Sequence, residues 1–236
     1  MPGSLGHVTA VSPRPWVVLL RAIGLMLVTF LAVYVPASLL TKGLRLPINA
    51  AVPVEILVTF TIACAIAGWH IRRDGFTAAA FGARLPPRRY VGYALLFAAP
   101  LSVLVAWFLG HFAESGPLAG LSLAPWLVYL YFVVAAPIQE EMIFRGLLQT
   151  ALARRLALQR KYAAASGVIA VLAVAILFAV IHLVVGAATA AGALVLGLLA
   201  GELRRRSGSL LPAIVCHSIF NLAGILWTLH LHQAGG

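Results

Sequence analysis

Glu140 and Glu141 stand side by side inside an apolar run, Val133-Val134-Ala135-Ala136-Pro137-Ile138-Gln139-Glu140-Glu141-Met142-Ile143-Phe144-Arg145-Gly146-Leu147-Leu148. The whole chain has only six acidic residues, and two of them are here. A charged side chain near a bilayer centre costs about 2.5–3.5 kcal/mol on insertion scales. Glu141 and Arg145 are four apart, so a helix stacks them on one face, where they can pair. That pairing leaves open whether they are a structural ion pair or take a direct part in chemistry. Glu140 points about 100° away and has no partner on its own helix. A carboxylate left over in this way can take a proton from water as a general base.

The same four-residue spacing recurs twice. Phe178 precedes His182, and His217 precedes Asn221. Each of three candidate helices therefore presents a polar group with a neighbour on the same stripe. A base, two imidazoles and an amide donor brought together suit hydrolysis of a carbonyl. Glu140 would draw a proton from water with His182 assisting, while His217 and Asn221 would donate to the developing oxyanion. Phe178 would pack to shape the site. Other common arrangements for hydrolysing a carbonyl find no footing. The single aspartate, Asp74, rules out a two-aspartate site, and neither Gly-x-Ser-Gly nor His-Glu-x-x-His occurs. A zinc site from Glu140, His182 and His217 is a chemical alternative, since three ligands and an open position suffice. His7, His70, His111, His230 and His232 lie near span ends and receive no role.

The elements that must position these groups are membrane helices. The chain is 62% hydrophobic and 10% charged, with a mean hydropathy of +1.01, against about 25% charged residues in a soluble domain. Hydrophobic runs fall at about Trp16–Leu40, Val54–Ile71, Tyr90–Leu109, Leu123–Leu148, Ala165–Val185, Ala187–Leu203 and Leu210–Leu231. The expected fold is all-α: one polytopic transmembrane helix bundle over residues 1–236, about seven spans with a polar cavity, its catalytic core at about 122–231. Trp16, Trp69, Tyr90, Trp126 and Tyr162 mark span ends as belt residues do. The Ala/Gly run at 187–201 reads as close helix packing. Pro137 is expected to kink the fourth span by freeing a backbone carbonyl. Cys64 and Cys216 sit in apolar runs and read as small hydrophobes.

The net charge of +11 does not point to nucleic acid, because the basic residues lie between the hydrophobic runs. The loop at 72–89 carries Arg72, Arg73, Arg84, Arg88 and Arg89. The loop at 149–164 carries Arg154, Arg155, Arg160 and Lys161, and that at 204–209 carries Arg204, Arg205 and Arg206, beside Glu202. The alternate loops hold Lys42 and Arg45, then Glu114, then nothing. The positive-inside rule puts the N-terminus in the cytoplasm and the C-terminus outside. The abundance of arginine and alanine suggests a bacterial inner membrane. On this topology His182 sits at the outer end of its span, away from Glu140 and His217. Tilt, a late start or a break at Gly186 would reconcile them.

Taken together, Glu-Glu-x-x-x-Arg (Glu140, Glu141, Arg145), Phe-x-x-x-His (Phe178, His182) and His-x-x-x-Asn (His217, Asn221) resemble the CAAX protease and bacteriocin-processing family. These are the CPBP or Abi intramembrane proteases. Arg-Gly-Leu-Leu-Gln after the glutamates and Ser-Gly-Ser-Leu-Leu-Pro before His217 resemble it too. The resemblance spans about Pro137–Asn221. It implies a glutamate-dependent endopeptidase without an essential metal or other cofactor, acting on a membrane-associated peptide or protein. Glu140 and His182 would activate water, and His217 with Asn221 would hold the oxyanion. The competing reading is a membrane transporter, or a peptide-binding or immunity protein, whose carboxylates carry protons or bind a ligand.

Overall fold

The computed structural model describes residues 15–73, 75, 77–110 and 123–234. His7, Asp74, His111 and Glu114 lie outside them, as do the side chains of Trp16 and His232. Seven helices are long and apolar enough to cross a membrane. They are α1 (Pro15–Gly43), α2 (Ile48–Arg73), α4 (Arg88–Gly110), α5 (Pro125–Ala157), α6 (Ser166–His182), α7 (Ala187–Ser207) and α8 (Leu211–Ala234). A one-turn helix, α3 (Ala78–Phe81), lies between α2 and α4. No strand occurs among the described residues. The chain is a multi-pass, all-α membrane bundle, as its hydropathy requires.

Apolar side chains cover the outside of the bundle as well as its core, and a few polar groups are buried among them. Leu27, Leu31, Leu57, Leu96, Leu104 and Ile176 face outward, while Gln139, Glu141, Arg145, Gln149 and His217 are buried. Without water the inner helices cannot associate by hydrophobic burial, and small residues must let backbones approach. Helix α7 supplies them through Ala190, Ala193, Gly197, Ala200 and Gly201, all buried. A Cβ on Gly197 would sit 3.0 Å from the Cα of Ala175, and one on Gly201 3.0 Å from Val171. The Ala/Gly run is thus the α6–α7 seam.

Span ends are marked as expected. Trp69 lies under Arg73, and Trp126 is exposed at the start of α5. Most arginines read as loop residues are helical instead: Arg72 and Arg73 end α2, and Arg88 and Arg89 open α4. Arg154 and Arg155 occupy the last turn of α5, which continues because Leu152 and Leu156, four apart, are buried. Arg204, Arg205 and Arg206 occupy the last turn of α7, where cations complement the carbonyl end of the helix dipole.

The fourth span departs from a regular helix. Tyr129–Ala135 and Met142–Gln149 are π-helical, on either side of an α-helical Ala136–Glu141. Such stretches concentrate at functional sites. Pro137 explains part of the first. The N–H of Ala136 bonds to the carbonyl of Tyr131, five residues back. The carbonyl of Phe132 would next need the N–H of residue 137, and proline has none. That carbonyl is therefore orphaned, and the Asn221 side chain reaches it from α8 at 2.7 Å. The freed carbonyl is present, and it has a named partner.

Candidate active site

The double glutamate closes the α-helical turn between the two π stretches, which turns Glu140 and Glu141 toward different neighbours. Glu141 is fully buried, as is Arg145. Its Oε1 accepts from Arg145 Nη1 at 2.8 Å and lies 2.9 Å from His217 Nδ1. One carboxylate oxygen therefore joins α5 to α8. Arg145 Nη2 reaches the carbonyl of Gly197 at 3.5 Å, and its guanidinium lies 4.6 Å from the Phe178 ring centre. One turn on, Gln149 Nε2 donates to the carbonyl of Gly201 at 3.0 Å. Two side chains four apart on α5 read two carbonyls four apart on α7. The bare Gly201 leaves room for Gln149, since a Cβ there would fall 3.3 Å from Gln149 Oε1.

Glu140 is the surplus acid. Its Oε2 is buried without a hydrogen-bond partner and lies 3.9 Å from Nε2 of His217, while the side chain keeps 18% exposure. His217 thus faces Glu141 with one ring nitrogen and Glu140 with the other.

Phe178 is the hub of an aromatic cluster. Its ring centre lies 4.9 Å from Phe144, 4.5 Å from His182 and 5.7 Å from His217. His182 therefore stands one ring away from His217. It forms no hydrogen bond or ion pair with Glu140. Its Nδ1 lies 2.7 Å from the Phe178 carbonyl oxygen. A carbonyl can only accept, so Nδ1 carries the proton and a neutral ring keeps its lone pair on Nε2. Phe178, one turn before His182, meets His217 directly, so the end of α6 lies beside the site. Helix α6 ends at His182, and Leu183–Val185 turn before Gly186, whose φ of 142° begins α7.

Asn221 uses one Nδ2 proton on Phe132; its second Nδ2 proton and its Oδ1 have no such tie. Among the described residues no three His, Cys, Asp or Glu side chains gather as a metal-holding group, and Glu140, His182 and His217 do not converge as one. An apolar groove of about 310 Å³ lies elsewhere, between α4 and α8 at Ser102, Val103, Leu222, Leu226 and Trp227.

Fold and site together define a polytopic helical membrane protein with carboxylates, an arginine and imidazoles gathered inside the bundle. Residues 122–223 match the family model described as Type II CAAX prenyl endopeptidase Rce1-like. The matched segment holds all seven motif residues and runs from the start of α5 into α8, leaving α1, α2 and α4 outside. This agrees with the CPBP/Abi resemblance carried by the three motifs, and it supports, in general, an intramembrane endopeptidase of CAAX-protease type. No match was found among curated proteins or among solved structures.

Proposed function

We propose that the chain is a glutamate-dependent endopeptidase that hydrolyses a peptide bond of a membrane-associated peptide or protein. The observation that carries this reading is Glu140 Oε2, buried, unpartnered and 3.9 Å from His217 Nε2. Glu140 takes a proton from a water molecule, and the resulting hydroxide attacks the carbonyl carbon. His182 helps to hold that water through the Nε2 lone pair that its Nδ1–H···O=C bond leaves free. With its ring carrying both protons, His217 gives Nδ1–H to Glu141. Its Nε2–H and the second Nδ2 proton of Asn221 donate to the tetrahedral oxyanion, a role worth about 3–4 kcal/mol per donor in well-studied sites. The proton held by Glu140 then passes to the leaving amine. Arg145 and Glu141 hold His217 in place. No metal is part of this scheme. The basic ends of α2, α5 and α7 support a cytoplasmic N-terminus in a bacterial inner membrane.

The test uses purified protein in liposomes, with a library of membrane-anchored fluorogenic peptides. Wild type cuts at least one of them, with or without a metal chelator. Glu140→Gln and His182→Ala cut none, yet unfold at the wild-type temperature. Full cleavage by Glu140→Gln refutes the mechanism. Proton-coupled uptake without cleavage would instead favour the transporter reading.

A further inference from the structure

Phe81 lies outside the three motifs and outside the matched segment, yet its ring touches the chain one residue beyond Arg145. A Cβ built on Gly146 would fall 2.6, 2.8 and 3.0 Å from Cζ, Cε2 and Cε1 of Phe81. Phe81 is 4% exposed and sits in a small cluster with Ala67, Leu147 and Leu210. The ring has little room to retreat. Its helix is also held from several sides. Thr77 caps α3 at the Ala80 N–H, and Gly82 closes it with a φ of 104°. Leu210 N–H donates to the Gly82 carbonyl at 3.0 Å. Arg84 donates to the carbonyls of Ser207 and Gly208, and Ser209 Oγ donates to the Arg84 carbonyl.

A second connection runs in parallel. Arg204 Nη2 bonds to the Ala80 carbonyl at 2.7 Å and to Thr150 Oγ1 at 3.3 Å. The Thr150 hydroxyl lies 3.2 Å from the carbonyl of Arg145, five residues earlier, and donates to it. The α3 segment thus reaches residue 145 twice, through a ring against Gly146 and through Ala80, Arg204 and Thr150. Both connections end in the π stretch Met142–Gln149, whose backbone is less regular than an α-helix and so more easily re-set.

We propose that Phe81 is a positioning residue. It bolts the α2–α4 connection against Gly146 and fixes the rotation of the π turn that aims Arg145 at Glu141. This rests on the proteolytic reading above. It explains why position 146 is glycine despite a φ that any residue could adopt: the constraint is the ring, not the backbone.

The geometry supplies its own rescue. Leucine keeps the Cγ and both Cδ atoms of phenylalanine but lacks Cε1, Cε2 and Cζ, the three that a residue-146 Cβ would strike. Gly146→Ala is expected to lower kcat about tenfold or more while KM stays within about threefold, because the anchor fails and the substrate surface does not. Phe81→Leu alone leaves a gap at Gly146 and is expected to lower kcat too, whereas Phe81→Leu with Gly146→Ala refills it and is expected to return kcat to within about threefold of wild type, since contacting sites are non-additive. A wild-type kcat in Gly146→Ala, or a double variant no better than Gly146→Ala, overturns the proposal. If the wild-type chain cuts no peptide, the proteolytic reading falls, and thermal unfolding decides the interlock. Non-additive midpoints at 81 and 146 support it, and additive ones overturn it.

Discussion

Asn221 offers a perturbation that separates holding the site from acting in it. Its Nδ2 answers the Phe132 carbonyl, which is orphaned because residue 137 is proline. Asn221→Leu keeps the volume but removes the donor, leaving a part-buried carbonyl unsatisfied. That penalty is about 1–3 kcal/mol. Pro137→Ala restores an N–H five residues after Phe132, in the spacing that Ala136 and Tyr131 already use. Alanine is also better than proline inside a helix by about 3 kcal/mol, so Pro137→Ala alone should not destabilise. In that background the backbone takes over the carbonyl, and Asn221→Leu should cost less than about 1 kcal/mol. The double-mutant cycle then shows a coupling of about 1–2 kcal/mol.

Equilibrium unfolding in mixed micelles measures all four proteins, and peptide cleavage is read on the same samples. The stable double variant is expected to remain about 10²–10³-fold slow, the usual loss for one oxyanion donor, because restoring the backbone bond does not restore the amide. An equal cost of Asn221→Leu in both backgrounds would refute the carbonyl argument. Wild-type cleavage by the double variant would leave Asn221 a purely structural role.

Two further expectations follow from the charge distribution. Arg145→Met leaves the fully buried Glu141 with His217 as its only side-chain partner among the described residues. It should destabilise by about 3–5 kcal/mol, as breaking buried pairs does, and wild-type unfolding would contradict that. A reporter enzyme fused after Gly236 should be active outside the cytoplasm; activity on the cytoplasmic side would overturn the topology.

The spans were legible because hydropathy reports what faces lipid, and α1, α2, α4 and α6–α8 follow it closely. The seven motif residues were legible because four-residue spacing survives in any helix. What spacing could not show was the π geometry of α5, which depends on backbone groups rather than side-chain type. It could not show that His182 meets the other groups only through Phe178, since ring contacts between helices have no sequence period. Phe81 and Gly146 are 65 positions apart in sequence, and nothing local joins them. The Gly197 and Gly201 carbonyls carry no side chain to read, yet they hold Arg145 and Gln149.

The sequence left Glu141 and Arg145 open between a structural ion pair and a part in chemistry. Under the proposed mechanism the pair serves both. Arg145 and His217 meet the same oxygen, Oε1 of Glu141. A carboxylate accepts, so His217 gives it the Nδ1–H, and this bond sets which ring nitrogen is left for Glu140. Without Arg145 the carboxylate could swing and take the imidazole with it. In the proposed mechanism the brace works through orientation: it turns Nε2 toward Glu140 Oε2, 3.9 Å away. A membrane helix tolerates two adjacent glutamates here because one fixes the group that faces the other.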